Sequence, residues 1–333
     1  MMKFVRTLTS VIGFAFLAAC HSDNSMDTLV PHSDLTQGVM DVYSLVFWWT
    51  LFLFILVQGG LIYIVMRFRS KGDHSVVPEQ VHGNPTMEMA WTVAPVFILM
   101  SFAIPTVQFI FKTQSAPAAD AVKVNALGKQ WWFEFTYPDL GVVTGNEMHV
   151  PIGKEVSVRL QSDNVIHSFW VPQLMGKRDM IPGRVNTIKF TANKIGMFLG
   201  QCAEYCGDSH ALMKFRVFVD SPEDFDKWVT TQKSDAVVEN AEVKATGEAL
   251  FATNCASCHQ VRGTAAAGMI GPDLTHVGSR STIAAGLLDN NTESLKRWLS
   301  DPQEVKPGAK MILNKKLTDQ EIASLSAYLL SLK

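Results

Sequence analysis

Two long apolar runs near the N-terminus dominate the hydropathy pattern of this chain. Residues 42–66 and residues 90–111 contain no charged side chain, although Pro95 and Pro105 interrupt the second run. Each run is longer than the ~20 apolar residues that a helix needs to cross the hydrocarbon core of a bilayer. Buried core helices are the alternative, which two uncharged runs of this length disfavour. The pattern therefore predicts a transmembrane helical hairpin over residues 38–112.

The charges next to the first run predict an orientation for this hairpin. Arg67, Arg69 and Lys71 follow the run directly, and short loops rich in basic residues stay in the cytoplasm. The parts of the chain before the first run and after the second run would then lie on the outer side.

The first 19 residues have the pattern of a bacterial export signal. Lys3 and Arg6 precede an apolar stretch that ends in small residues. The sequence Leu17-Ala18-Ala19-Cys20 resembles a lipobox, in which Cys20 would become the lipidated first residue of a lipoprotein. An uncleaved signal with a buried cysteine is the alternative. Lipidation of Cys20 on the outer side agrees with the topology that the basic loop predicts.

The periodicity changes to short β-like runs over residues 121–220. Gly, Pro and Asn separate these runs, and regular short strands with turn signals predict an all-β sandwich or barrel. The predicted strands include residues 122–127, 156–160, 187–191 and 214–219.

The remaining third of the chain is predicted to be a linker followed by an all-α domain. Residues 221–244 are polar and charged and predict a linker with a short helix around residues 225–229. Over residues 245–333 the pattern is helical, and Thr318 with Glu321 predicts a capping box before an amphipathic closing helix. The predicted fold is therefore multidomain: two transmembrane α-helices, an all-β domain and an all-α domain.

The net charge and the cysteine content limit the classes of function that fit this chain. The 333-residue chain has a formal net charge of −2, which gives no electrostatic case for binding nucleic acid. Its five cysteines fall into three groups, which are Cys20, Cys202 with Cys206, and Cys255 with Cys258. Each group needs its own chemical explanation.

Cys255-Ala256-Ser257-Cys258-His259 is the C-x-x-C-H signature of covalent haem attachment. Two thiols at this spacing can form thioethers to both vinyl groups of one haem, and His259 can bind the iron. A redox C-x-x-C motif is the alternative, but it does not require the histidine. The predicted export of this domain favours haem c.

The sixth ligand of the iron should be a soft side chain further along the chain. Met311 follows Lys306-Pro307-Gly308-Ala309-Lys310, which resembles the loop that carries the axial methionine in class I cytochromes c. Met269 is the competing candidate. Gly271-Pro272-Asp273-Leu274 also resembles the family segment near the haem edge, so the resemblance covers about residues 245–333. A His/Met ligand pair raises the reduction potential of a haem.

Residues 200–213 place two thiols, an imidazole and a thioether in one turn-rich segment. A disulfide between Cys202 and Cys206, or a zinc site that adds His210 and a further histidine, would explain part of it. Neither alternative uses Met213, whose soft thioether suits copper better than zinc. His167, at the end of a β-like run, supplies a second imidazole. These residues together indicate copper on a cupredoxin-like domain.

Over longer segments the chain resembles subunit II of the haem–copper cytochrome c oxidases, in the fused form that carries its own cytochrome c. Order and spacing agree over about residues 38–219. The resemblance rests on residues 87–95, 129–134, 165–172, 177–186 and 200–213.

This resemblance implies a binuclear copper centre of the type called Cu-A. The implied ligands are two bridging thiolates, one imidazole on each copper and two weaker outer ligands: Cys202 and Cys206, His167 and His210, and Met213 with the main-chain carbonyl of Glu204. Shared soft thiolates spread one electron over two metals, so little has to move when the electron arrives, and a rigid sandwich holds the ligands. The side chain of Glu204 would reach toward a magnesium ion shared with subunit I.

The resemblance also implies roles for two residues that are not copper ligands. Trp131 would be the aromatic residue through which electrons reach the copper, with a plain core tryptophan as the alternative. Trp132-Phe133 stands where Tyr-Trp is frequent in the family, which leaves the exact route open. Glu88 would lie at the mouth of a proton pathway into subunit I, and a helix-start glutamate is the alternative.

The implied function is electron transfer in a proton-pumping terminal oxidase of a bacterial cell membrane. Electrons from an external cytochrome donor would pass through haem c and copper to subunit I, which reduces oxygen, and subunit III would be a further partner. Three other classes fit less well. A copper-delivery protein has no use for Met213, the paired spans or the haem motif, and a quinol oxidase subunit II has no use for the copper ligands. A nitrous oxide reductase would need a large catalytic domain.

Overall fold

The computed structural model describes residues 26–69, 79–80, 82–313 and 315–333. The predicted signal peptide with Cys20, and the basic residue Lys71, lie outside the described residues. The chain divides into two compact units, of which one is Gln37–Ala116 and the other holds the remaining residues.

The first unit is built from two long apolar helices, α1 (Asp34–Phe68) and α2 (Pro85–Gln114). Both are long and apolar enough to cross a membrane, and the most apolar stretch of each has no buried side chain. Continuous exposed apolar surface of this kind needs a cover, which a bilayer provides. The helices contact each other where Gly38 lies against Phe109, since a Cβ at Gly38 would approach the ring to 2.2 Å.

The start of α2 is capped by polar groups on both sides. The Asn84 side chain accepts a hydrogen bond from the Met87 amide at 3.2 Å, and the Glu88 carboxylate accepts one from the Asn84 amide at 3.2 Å. Together these bonds satisfy amide donors that a helix start leaves free. Glu88 therefore has a structural partner at the helix start, at the position for which the sequence suggests proton uptake.

The second unit begins with a sandwich of two five-stranded sheets. Its strands in chain order are β1 Val122–Lys129, β2 Trp132–Tyr137, β3 Val142–Gly145, β4 Glu147–Pro151, β5 Glu155–Ser162, β6 His167–Val171, β7 Met175–Met180, β8 Asn186–Thr191, β9 Gly196–Cys202 and β10 Lys214–Asp220. One sheet has the order β3-β2-β1-β5-β8 and the other has the order β4-β10-β9-β6-β7.

Alternation along β2 shows how the sequence builds the core of this sandwich. Phe133, Phe135 and Tyr137 are buried while the residues between them are half-exposed, as the two-residue period of a strand requires. Phe133 and Phe135 pack against Phe169 and Phe215 of the opposite sheet, with ring centroids 4.7 to 6.1 Å apart. This aromatic cluster joins the two sheets.

The segment predicted to be a linker, residues 221–244, contains a helix longer than expected. Ser221 caps α3 (Pro222–Lys233), and Pro222 occupies the first helical turn. Phe225 is buried in the core of the sandwich and Trp228 packs against it. The helix therefore covers the sandwich, because its two aromatic residues face the sheets despite the polar average composition.

The C-terminal part is helical. It contains α4 Ala241–Asn254, the short strands β11 Thr282–Ile283 and β12 Leu288–Asp289, α5 Thr292–Ser300, α6 Pro302–Val305 and α7 Asp319–Ser331. Thr318 and Glu321 form the capping box at the start of α7, which confirms that prediction. Helices α4 and α7 cross at Gly247, where the absence of a side chain lets Tyr328 approach. The predicted fold class, two apolar helices, an all-β sandwich and an all-α domain, is confirmed.

Gly247→Ala should destabilise the all-α domain, although alanine has a helix propensity about 1 kcal/mol more favourable than that of glycine. A Cβ at position 247 would lie 2.2 Å from the Cβ of Tyr328, so the helices must move apart. Overpacking of this kind costs about 1–3 kcal/mol. Native-state hydrogen exchange of the α4 and α7 amides measures the change. Thr246→Ala, on an exposed position of α4, is the control and should not lower protection, whereas unchanged protection in Gly247→Ala would contradict the close crossing.

Candidate metal centre and haem-attachment site

Strand pairing brings two distant stretches of the chain together at one end of the sandwich. His167 begins β6, Cys202 ends β9, and the two strands pair with Phe169 opposite Cys202. The loop after Cys202 returns at Met213, whose carbonyl oxygen accepts a hydrogen bond from the Cys202 amide at 2.9 Å. This closed loop contains Cys206 and, in a short 3-10 helix, His210.

The predicted ligands form a row of soft donors. The Nδ1 of His167 lies 3.8 Å from the Sγ of Cys202, which lies 3.7 Å from the Sγ of Cys206. The Sγ of Cys206 lies 3.6 Å from the Nδ1 of His210 and 3.9 Å from the Sδ of Met213. The two thiols are free and therefore form no disulfide. Two sulfur atoms between two imidazole nitrogens fit a pair of copper ions, because these are the ligand types that copper prefers.

Four of the predicted ligands are buried, and the two thiols share a hydrogen bond. His167 and Met213 are fully buried, and Cys202 and Cys206 are 5% and 2% exposed. A hydrogen bond shared with Cys206 lowers the pKa of Cys202 to about 3, and the same hydrogen bond, followed by burial, raises the pKa of Cys206. A metal that binds both sulfur atoms would displace the shared thiol proton, because cysteine binds metals as the thiolate.

Asn164 orients the imidazole of His167. The sequence alone offers no candidate for this role. The Oδ1 of Asn164 lies 3.0 Å from the Nε2 of His167, so an Nε2–H can donate to Asn164 while Nδ1 faces Cys202. Such partners fix the tautomer and the direction of a ligating histidine. The available signal was an asparagine three residues before the histidine, in the turn before β6.

Trp131 and Glu204 each contact one of the two cysteines. In each contact one partner is a main-chain carbonyl oxygen. The indole Nε1 of Trp131 donates to the carbonyl oxygen of Cys206 at 2.9 Å, and Gln130, which the sequence analysis did not single out, donates to the same oxygen at 2.8 Å. The carbonyl oxygen of Glu204 lies 3.2 Å from the Sγ of Cys202. The Glu204 side chain is exposed. Glu88 belongs to the other unit, in the first turn of α2.

The C-x-x-C-H segment follows directly on α4. Cys255 is buried, which raises its pKa to about 11, and Cys258 is half-buried. The Nδ1 of His259 lies 2.8 Å from the carbonyl oxygen of Pro272. An Nδ1–H donated to this oxygen leaves Nε2 free for a metal, and burial lowers the pKa of His259 so that the imidazole is neutral. The residues fit a covalently attached haem.

The two candidate methionines differ in burial. Met311 packs against the core of the all-α domain, whereas Met269 is 78% exposed. Gly271 lies directly on the imidazole, since a Cβ there would be 2.4 Å from the Cε1 of His259. The segment around Gly271 and Pro272 therefore supports the histidine side of the haem site.

Fold and site together define a class: a protein with apolar anchoring helices, a sandwich with a soft metal-donor cluster and a haem-attachment domain. Family models match all three parts. The transmembrane domain of cytochrome c oxidase subunit II matches residues 26–109, its periplasmic domain matches residues 140–219, and cytochrome c matches residues 244–333.

Known proteins agree with these matches. Cytochrome c oxidase subunit 2 of Alkalihalophilus pseudofirmus is 35% identical and aligns over 96% of this chain and 94% of its own length. The subunit 2 of Bacillus sp. (strain PS3) is 39% identical over 80% of this chain and 79% of its own. The solved periplasmic domain of subunit II from Bradyrhizobium japonicum is 38% identical, with a TM-score of 0.34, over 36% of this chain and 97% of that domain. The chain belongs to the cytochrome c oxidase subunit II family, in the form with a C-terminal cytochrome c domain.

Family membership explains the coarse features of the molecule. The two apolar helices are the membrane anchor of an oxidase subunit, the sandwich is its copper domain (residues 122–233), and the C-terminal part is its haem domain (residues 241–333).

Asn164→Ala should weaken copper binding without unfolding the copper domain. Loss of an orienting partner typically costs 10- to 100-fold in metal affinity, because the imidazole of His167 can then rotate away from Cys202. Copper retention in competition with a chelator, measured on the full chain, gives the change in affinity. Asp163→Ala alters the neighbouring residue, whose amide bond to Gly128 is kept, and should retain native affinity. Equal affinity in both variants would show that Asn164 does not orient the ligand.

Proposed function

We propose that this subunit relays electrons from an external cytochrome donor, through its own haem c and a Cu-A centre, to subunit I of the oxidase. Subunit I then reduces oxygen to water and pumps protons. The chain is proposed to supply Cys255, Cys258, His259 and Met311 to the haem. It is proposed to supply His167, Cys202, Cys206, His210, Met213 and the carbonyl of Glu204 to the copper.

The observation that carries this proposal is the row of donors from His167 through Cys202 and Cys206 to His210. Neighbouring donor atoms in the row are 3.6 to 3.8 Å apart. The donor atoms of His167, Cys202 and Cys206 lie close enough together to hold one ion, but this group does not include His210. Two ions would use all four donors of the row. With both groups bound, the haem and the copper would supply one-electron transfer, and the residues of this chain would hold them in place.

The protein contributes rigidity to this relay. Buried donors, a hydrogen bond from Trp131 to the Cys206 carbonyl and the Asn164 contact to His167 all restrict movement of the ligands. Restricted ligands keep the same geometry in both redox states, which favours electron transfer over ligand exchange. Trp131 is proposed as the aromatic residue through which electrons reach the copper.

The proposed partners and orientation follow from the anchor. Arg67 and Arg69 at the end of α1 support a cytoplasmic loop and outer copper and haem domains, in a bacterial cell membrane. Subunits I and III are the proposed partners. The exposed side chain of Glu204 is free to share a magnesium ion with subunit I, and Glu88 is proposed to lie near the proton pathway.

Cys206→Ser should abolish oxygen consumption driven by a cytochrome donor while haem c stays attached and reducible. The substitution removes one bridging thiolate, so the copper pair is lost but the haem ligands are untouched. Oxygen uptake by the assembled oxidase and the reduced haem spectrum are measured on the same sample. Normal turnover in this variant would refute the copper relay.

Met311→Ala should change the reduction potential and the axial ligation of the haem, because a thioether ligand favours the reduced iron. Redox titration and the haem absorption spectrum report both quantities. Met269→Ala is the matched control, since its side chain is largely exposed, and should leave both unchanged. The opposite pattern would reassign the sixth ligand to Met269.

A further inference from the structure

A buried carboxylate of the copper domain accepts hydrogen bonds from the haem domain. Glu147, at the start of β4, is 5% exposed. Its Oε1 accepts hydrogen bonds from the amides of Ser281 and Thr282 at 2.8 and 3.1 Å. The hydroxyls of the same two residues lie 2.6 and 3.4 Å from this oxygen. A buried carboxylate is costly unless it is hydrogen-bonded, and these partners all come from residues 281–282.

A second buried ionisable group crosses the same boundary in the opposite direction. Lys306 of the haem domain is 4% exposed, and its Nζ donates to the carbonyl oxygen of Trp131 at 2.6 Å. It also lies 3.4 Å from the carbonyl oxygen of Ala284 in its own domain. Burial lowers the pKa of Lys306 to about 7, and an amine donates to a carbonyl in either protonation state.

The loop that begins with Lys306 lies along the loop between Cys202 and Met213. Ser209 donates a hydrogen bond to the carbonyl of Pro307. Gly308 has a φ of +79°, and a Cβ there would lie 3.0 Å from Asp208 and 3.2 Å from the Trp131 ring. Lys310 donates to the Oε1 of Gln130 at 3.0 Å. The loop that leads to Met311 therefore covers Trp131, which is only 7% exposed.

The histidine side of the haem site abuts the copper domain as well. A Cβ at Gly145 would lie 2.9 Å from Pro272, whose carbonyl accepts the hydrogen bond of His259. The Lys214 amide donates to the carbonyl of Ala285 at 3.0 Å, so the haem domain supplies a backbone partner to β10. Both haem-supporting segments thus have fixed neighbours on the sandwich.

Taken together, these contacts select one arrangement of the two domains. Buried ionic groups add little net stability, but a shift of the interface that kept them buried would break their cross-domain hydrogen bonds, which is expensive. Glu147 and Lys306 belong to different domains and reach their partners at separate points of the interface. Together with the contacts of Gly145 with Pro272 and of Lys214 with Ala285, these two points fix both position and rotation.

We propose that Glu147 and Lys306 hold the haem domain permanently docked on the copper domain, so that electrons cross one fixed interface at Trp131. The inference rests on the proposed function, which identifies electrons as what crosses this interface. It identifies Glu147 and Lys306 as positioning residues that touch neither metal. It also means that an external donor delivers electrons to the haem domain, because the surface of Trp131 is already covered.

The test uses the full chain in the assembled oxidase, as wild type and as Glu147→Ala/Lys306→Met. Hydrogen exchange of the Lys214 amide reports docking in every variant, because its bond to the Ala285 carbonyl crosses the interface and both substitutions leave it in place. The Ser281 and Thr282 amides report docking in the wild type, since Glu147→Ala removes their acceptor. The rate of haem-to-copper transfer after photoreduction of the haem, at low and high salt, reports the functional consequence. Glu155→Gln and Lys296→Met are controls, since the first lies within the sandwich and the second has an exposed side chain on α5.

In the wild type we expect protected interface amides and a transfer rate that does not change with salt, because no diffusional docking precedes transfer. In the double variant we expect about a tenfold loss of protection at the Lys214 amide and a slower, salt-dependent transfer rate. The α4 and α7 amides should stay protected and copper and haem contents should stay native, which separates undocking from unfolding.

Three results would overturn the inference: unprotected Ser281 and Thr282 amides in the wild type, native exchange in the double variant, or undocking without any change in the transfer rate. If the double variant fails to assemble, the single variants Glu147→Gln and Lys306→Met take its place with the same criteria. A chain that lacks the copper pair would refute the proposed function instead, while the exchange of the interface amides would still decide the docking.

Discussion

The pairing of β6 with β9 is the constraint on which the copper site depends. His167 and Cys202 are far apart in sequence and meet only because Phe169 stands opposite Cys202 in the sheet. A register shift of one residue would turn a ligand to the other face, because side chains alternate along a strand. The stack of Phe169 on Phe215, with centroids 4.7 Å apart, opposes such a shift from inside the core. Aromatic packing between the sheets thus determines where the thiols and imidazoles stand.

The loop that contains Cys206 also forms part of the boundary with the haem domain. The carbonyl of Cys206 is held by Gln130 and Trp131, and these two residues in turn receive Lys310 and Lys306. Copper ligation and domain docking are therefore properties of one connected hydrogen-bond network. A change in this network alters both, which is why metal content and docking need separate readouts.

Local signals in the sequence predicted the features that depend on short spacing. Thr318 and Glu321 make the capping box because helix starts follow a local rule, and the apolar runs predicted α1 and α2. The donors within residues 202–213 are recognisable for the same reason. The distant His167 is a candidate second imidazole from its position by a β-like run, and its role as the ligand of one copper is implied by the family resemblance. Its contact with Cys202 in the structure requires the strand pairing.

Features that depend on tertiary contacts were not predictable in this way. Glu147 and Lys306 are charged residues whose cross-domain partners lie in distant segments, so nothing in their own neighbourhood marks them. The polar composition of residues 221–244 predicted a linker, but Phe225 and Trp228 attach α3 to the sandwich. Average polarity hides a helix whose apolar face consists of a few large side chains.

The connection between the domains argues further for a fixed arrangement. Only residues 234–240 separate α3 from α4, and they could span at most about 25 Å when fully extended. The haem domain contacts the end of α3 and the first residue of this connection. Arg262 donates to the carbonyls of Gln232 and Ser234, and His276 lies 3.0 Å from the Ser234 oxygen. A connection attached at its start cannot act as a free tether. The chain thus limits the positions open to the haem domain before Glu147 and Lys306 select one, and the entropy lost on docking is correspondingly small.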